Sequence, residues 1–192
     1  MSPLPRETRR ALLELARRAL IEAVTHRREL KLLPSDFPPA PPAGIFVSLH
    51  KRGRLRGCVG RVEAPEPLAE TVARCAAAAA LEDPRFDPVE SSEVAELEIE
   101  LSVLSPLAPA RPEEIVAGLH GILVSRGPQR GLLLPQVATQ FRWGRERFLE
   151  ETCHKAALER EAWKDPVTQI YVFTAEVFSE AEFRGEEHAQ AS

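Results

Sequence analysis

The chain is short of the residues that staple, anchor or metallate a protein. It has three cysteines, Cys58, Cys75 and Cys153, an odd number at no repeating spacing. That argues against a disulfide framework and fits a reducing cytoplasm. No CxxC, HxxxH or HxxE spacing involves Cys58, Cys153, His50, His120 or His154. A metal site would have to draw on Cys58, Cys153, His50, His120 and His154 without such spacing, and none is expected. No cofactor motif is present either. Near the N-terminus, Arg9 and Arg10 are reached with no apolar h-region, so no signal peptide is expected. The longest run of small apolar residues, Cys75 to Leu81, is far too short for a bilayer, which leaves out a membrane. Large net charge is also missing. At −4 the chain has no global attraction to nucleic acid or anionic lipid. Lysine is scarce, 4 against 21 arginines, while proline reaches 17. That balance fits a GC-rich or a heat-adapted source and does not separate them. No internal repeat shows.

What remains is an ordinary globular composition. The 192 residues are 44% hydrophobic and 28% charged, enough for one compact domain or two lobes sharing a core. Leu12, Leu15, Ala16, Ala19, Leu20 and Val24 recur at helical spacing and predict an amphipathic helix over residues 8–28. Five prolines between Leu32 and Gly44 forbid a helix there and predict an extended connector. Ile45 to His50 and Leu55 to Val62 read as strands. Glu66 to Asp83 reads as a helix, and DPRFDP from Asp83 as a turn. In Val94 to Pro106, Leu97, Ile99, Leu101 and Val103 alternate with Glu96, Glu98, Glu100 and Ser102, a strand with one wet face. Gly121–Ser125 and Gly131–Pro135 read as a hairpin around a turn at 126–130. Pro135 to Leu158 reads as helical with a break at Gly144. Gln169 to Phe178 is the last strand, and the tail after Phe183 is polar. Hairpins and helices mix without regular βαβ alternation, so the fold class is α+β.

The stretch GRLRGCVGRVEAP, Gly53 to Pro65, holds the unusual chemistry. It is not a phosphate loop, because the Lys-Ser/Thr ending is missing. Facing Ile45, Val47 and Leu49 with Leu55 and Val59 pairs Leu49 with Leu55 and Ile45 with Val59. That leaves Lys51, Arg52 and Gly53 as a three-residue loop, with Gly53 supplying the left-handed position. Cys58 and Arg56 then share a face with Phe46, Ser48 and His50. Arg56 lies opposite Ser48, Cys58 opposite Phe46, and residues two apart on a strand are about 7 Å apart. A guanidinium at that distance would lower the thiol pKa. Gly57 and Gly60 would let a ligand or another backbone approach closely. The competing reading makes Cys58 a packed small hydrophobe and the glycines packing positions.

Other candidates are plainer. Cys75 among alanines and Cys153 four after Leu149 read as core. Glu96, Glu98 and Glu100 could serve acid/base chemistry but read more simply as a solvated strand face. Arg142, Arg145 and Arg147 near Trp143 could contact RNA, which the acidic surroundings oppose.

In order along the chain, LRGCVG at Leu55, DPRFDP at Asp83, LEIELSVLSP at Leu97, GLLLPQVA at Gly131, Trp143, FLEETCHKAAL at Phe148 and YVF at Tyr171 resemble the AMMECR family. The resemblance covers approximately residues 8–180 of a single domain spanning 1–192. It implies a two-lobed α+β fold with a mainly antiparallel sheet, packed helices and the hexapeptide Leu55–Gly60 lining an interlobe cleft. It also implies partnership with a Memo-type protein and a radical-SAM protein. KAAL from Lys155 stands where the family has KAGL, so that helix end is expected to run on. Two functional readings stay open. In one, the chain is a non-catalytic component binding a small polar ligand or a partner through Leu55, Arg56, Gly57, Cys58, Val59, Gly60 and Ser48. In the other, it is an enzyme with Cys58 as nucleophile, Arg56 as anion anchor and His50 as the one nearby base.

Overall fold

A computed structural model describes residues 3–32 and 42–183 of the chain. The proline-rich connector expected from Leu32 to Gly44 falls largely outside those residues, as does the tail after Phe183. The described chain forms two units. One is built from residues up to Leu104 and from Glu176 onward, the other from Ser105–Ala175.

The first unit opens with helix α1 (Arg6–Thr25), whose apolar stripe from Leu12 to Val24 is buried as its spacing requires. The helix gives out where Arg27 takes a left-handed φ of 54°. Strands β1 (Ile45–Lys51) and β2 (Arg54–Arg61) form a hairpin, helix α2 (Leu68–Leu81) follows, and β3 (Leu97–Leu104) begins after a 3₁₀ turn, Val94–Glu96. With β8 (Ala175–Ser179) they make a four-stranded sheet in the order β2-β1-β3-β8. Ile45, Val47 and Leu49 on β1 and Leu97, Ile99, Leu101 and Val103 on β3 point into one core with α1 and α2. Each such buried aliphatic contributes roughly 1.5–3 kcal/mol. The alanines of α2 keep the helix close to the sheet. The even-numbered residues of β1 and β3 therefore face away from the helices.

The second unit holds β4 (Ala108–Pro109), β5 (Gly121–Arg126), β6 (Gln129–Leu133), α3 (Pro135–Phe141), α4 (Arg145–Lys155) and β7 (Gln169–Phe173). Its sheet runs β4-β7-β5-β6 and is antiparallel throughout. Phe148, Leu149 and Cys153 of α4 pack with Ile122 and Val124 of β5. Among the described residues no helix is long and apolar enough to cross a membrane.

Four sequence expectations need correction. The last strand is two: Gln169 to Phe178 divides at Thr174, and β7 and β8 join different sheets. The stretch is one β-forming run with no glycine or proline at the division, and buried Ile170, Phe173 and Phe178 fall on both parities, so the pattern alone hides it. Thr174 is held by Ser105, which accepts its N–H at 2.9 Å through Oγ and donates its own N–H to the Thr174 carbonyl. The wet face of β3 is wet only in part, since Ser102 is buried and Glu96 belongs to the preceding turn. The β5–β6 turn has two residues, not five, because Gly127 at φ 58° lets Arg126 pair directly with Gln129. Finally, α4 stops at Lys155. Ala157 takes the left-handed position at φ 57°, and Leu158 N–H reaches back to the Cys153 carbonyl. This is a Schellman ending on alanine, formed without the glycine such a site favours.

Candidate functional site

The β1–β2 register places the hexapeptide. Arg52 and Gly53 both have positive φ, 52° and 74°, and form a two-residue turn in which Lys51 pairs with Arg54. The register then shifts between Leu49 and His50: His50 faces Leu55, but Leu49 faces Gly57, leaving Arg56 as the extra residue of a bulge. The expected three-residue loop and the pairs Leu49–Leu55 and Ile45–Val59 are thus corrected. Val47 faces Val59, Phe46 faces Gly60, and Cys58 lies opposite Ser48. Hydrophobic matching alone could not register the bulge.

Across three strands the face away from the helices carries the row Cys58, Ser48, Glu100, flanked by His50 with Glu98 and by Phe46 with Ser102. Ser48 is buried and donates its hydroxyl to Cys58 Sγ at 3.3 Å. Cys58 itself is half-buried. Burial pushes its thiol above the ordinary value. The Ser48 hydrogen bond and the charge of Arg85 pull it down by less, while Asp83 and Glu100 add to the rise. Burial also pushes up the Glu100 carboxyl, against a smaller pull from His50. No hydrogen bond or ion pair from the described residues reaches the Glu98 or Glu100 carboxylate.

Arg56 does not stand beside the thiol as the simple register implied. Its guanidinium forks onto Glu93, with Nε and one terminal nitrogen at 3.2 and 2.9 Å from the two carboxylate oxygens. A further donor reaches the Asp87 carbonyl at 2.8 Å. Lys51 joins Glu93 at 3.1 Å. This holds the Glu93 carboxyl down to about 2, the Arg56 hydrogen bonds being the main cause. Arg56 therefore fastens the hairpin to the segment before β3.

The cation that does reach Cys58 comes from DPRFDP. The Cys58 N–H donates to Asp83 Oδ2 at 2.8 Å, and Arg85 donates to the Cys58 carbonyl at 3.3 Å. Arg85 also grips both Asp83 oxygens, at 2.9 and 2.7 Å. Asp83 is buried, and these bonds, led by those from Arg85, bring its carboxyl down to about 2. β2 is an edge strand, and this pair satisfies the outward N–H and C=O at Cys58 that an edge leaves open. Asp83 and Arg85 were missed as site residues. The signal available was that two motifs 25 residues apart both belong to the family pattern.

The glycines serve packing. A Cβ on Gly57 would lie 2.1 Å from the Ala79 carbonyl oxygen of α2, and one on Gly60 would lie 2.4 Å from both the Ile45 carbonyl and the Phe46 ring. What approaches them is the protein's own backbone and ring. Val59 packs on the first core, and Leu55 at the hairpin is exposed. Cys75 and Cys153 are buried, as their spacing indicated, and burial pushes the Cys75 thiol to about 11. Among the described residues no group of three His, Cys, Asp or Glu could hold a metal ion.

Two antiparallel four-stranded sheets with helices, and a cysteine strand clamped by a DPRFDP loop, define an α+β protein of a particular type. The family model described as AMMECR1 matches residues 13–178, and the chain belongs to that family. A protein of Methanothermobacter thermautotrophicus is 42% identical over 93% of this chain and 97% of its own length. One of Thermococcus kodakarensis is 42% identical over 91% of each chain. The crystal structure of an uncharacterized protein from Pyrococcus horikoshii superimposes with a TM-score of 0.83 at 39% identity, covering 88% of this chain and 89% of its own.

Proposed function

We propose that this AMMECR1-family chain is a non-catalytic binding component whose ligand is a small polar molecule received on the sheet face around Ser48, Cys58 and Glu100. The observation that carries this reading is the distribution of charge partners. Arg56 and Arg85 are engaged by Glu93 and Asp83, while Glu98 and Glu100 have no cationic partner among the described residues beyond His50 nearby. Such a face favours a ligand that donates hydrogen bonds or carries positive charge over an anion. The other reading, Cys58 as nucleophile with Arg56 as anion anchor and His50 as base, has less support. The thiol is held protonated by burial, and Arg56 already has a carboxylate. As cellular partners we propose a Memo-type and a radical-SAM protein, on the family resemblance alone.

The test is a thermal-shift screen of small amines, amino acids and carboxylates, repeated on Glu100→Gln, Ser48→Ala and Cys58→Ala. Amine-bearing compounds should stabilise the wild type and Cys58→Ala, with the effect lost in Glu100→Gln and weakened in Ser48→Ala. A preference for carboxylates, or stabilisation indifferent to all three substitutions, would overturn it. Pull-downs with the two partner proteins test the partnership separately.

A further inference from the structure

The second unit carries an exposed feature that the sheet face does not explain. Of six exposed large hydrophobics among the described residues, Val116, Leu119 and Phe141 lie on neighbouring segments of this unit. The loop bearing Val116 and Leu119 rests against α3, where Gly118 abuts the Thr139 hydroxyl. Arg145, at the start of α4, donates to the Glu113 carbonyl at 3.2 Å and holds the same loop from the other side. Phe141 stacks on Trp143 with centroids 4.9 Å apart and planes 18° from parallel. Trp143 packs inward on the core, whereas Phe141 stays 56% exposed.

Charge narrows the occupant. Arg142, between the two rings, ends α3 in a left-handed conformation at φ 54°, where an arginine is costly and glycine would be easier. Its backbone N–H closes the helix on the Thr139 carbonyl at 3.2 Å, but its guanidinium makes no hydrogen bond or ion pair among the described residues. Arg145 bonds a carbonyl and no carboxylate. Elsewhere in this unit Arg126 is matched by Asp165, and Arg147 and Arg160 by Glu151. The two arginines next to the aromatic stack in sequence thus have no carboxylate partner among the described residues, on a chain of net charge −4. Size narrows it further. Three half-exposed apolar side chains amount to on the order of 300 Å². A stable interface between two copies needs about 800 Å² from each.

We propose that the α3–α4 turn and the 115–120 loop form a docking surface for a short peptide segment of a partner protein, one that sets an apolar side chain against Phe141, Val116 and Leu119 and a carboxylate against Arg142 and Arg145. Nucleic acid is disfavoured: two guanidiniums offer few phosphate contacts, and the chain as a whole carries a net charge of −4. The inference is independent of the sheet-face ligand, since it uses other residues in the other unit.

The test uses the full chain and fluorescein-labelled decapeptides followed by anisotropy. One alternates leucine and phenylalanine with aspartate, one replaces the aspartates by lysine, and one replaces the apolar residues by serine. A 12-mer of uridine is the fourth probe. The Asp/apolar peptide should bind, and the Lys and Ser versions should bind at least tenfold more weakly. Phe141→Ser and Arg142→Glu should each weaken the Asp/apolar peptide at least tenfold, with Arg142→Glu improving the lysine version. Both positions are exposed, and unchanged far-UV circular dichroism confirms that the variants fold. No saturation by the Asp/apolar peptide, equal binding of all peptides, tighter binding of the uridine 12-mer, or a dimer in sedimentation that Phe141→Ser dissolves would each overturn the proposal.

Discussion

Asp83 holds Cys58 by its backbone: a carboxylate oxygen of the DPRFDP turn accepts the Cys58 N–H at 2.8 Å, 25 positions back in the chain. The most unusual residue of the signature strand is thereby fixed before any ligand arrives. The same carboxylate is gripped by Arg85, which also donates to the Cys58 carbonyl. One buried side chain thus closes both the strand edge and the turn.

Acid should undo this clamp. The folded-state pKa of Asp83 is depressed to about 2 from an ordinary value of 3.8, and that of Glu93 to about 2 from 4.5. A depressed pKa contributes stability that is present above the unfolded value and lost as pH falls toward the folded one. Urea unfolding should therefore show stability falling between pH 4.5 and 2, with Asp83 accounting for about 2 kcal/mol of the loss. Asp83→Asn should be less stable at neutral pH and show a shallower acid slope. An unchanged slope would mean that the clamp carries no linkage.

The three glycines of the hairpin should respond differently to alanine. Gly57→Ala forces a Cβ against the Ala79 carbonyl, which is backbone and cannot turn aside. It should cost about 3 kcal/mol or more, with Gly60→Ala similar. Gly53 has open space but a φ of 74°, so Gly53→Ala should cost only about 1 kcal/mol. Chemical denaturation of the three variants checks the order. Equal effects would show that close packing, against α2 at Gly57 and against β1 at Gly60, is not what the strand glycines serve.

Helix α4 offers a stabilising change. Ala157 occupies a left-handed cap with nothing in its sequence to favour it. Ala157→Gly should raise stability by about 0.5–1 kcal/mol, read as a higher melting temperature. A lower one would mean that the alanine methyl makes packing worth more than the strain.

The fold was largely readable from residue order because its signals are periodic. The stripe Leu12 to Val24 and the alternation Leu97 to Leu101 each name their element and its buried side. Punctuation was also readable where glycine marks it, as at Gly144 between α3 and α4. What escaped were events that no residue marks. The chain changes sheets at Thr174 inside a run without glycine or proline, and the bulge at Arg56 shifts register by geometry rather than composition. Of the candidate site, the face that Cys58 shares with Ser48 and His50 was legible in the sequence. Its partners were not. Asp83 and Arg85 reach it only through tertiary folding, and Arg56 was drawn off by Glu93, a residue that no local pattern connects to it.

The claim that most of the account depends on is that Cys58 is held and protonated rather than poised as a nucleophile. Cys75 and Cys153 are buried, so alkylation by iodoacetamide in the native state should report Cys58 alone. The direct measurement is the pH dependence of that alkylation rate, with Cys58→Ala as the blank. The expected result is slow labelling at pH 7 and an apparent pKa above 9, rising further in Arg85→Ala as the nearby positive charge is removed. Fast labelling with an apparent pKa below about 7.5 would contradict the account and restore the nucleophile.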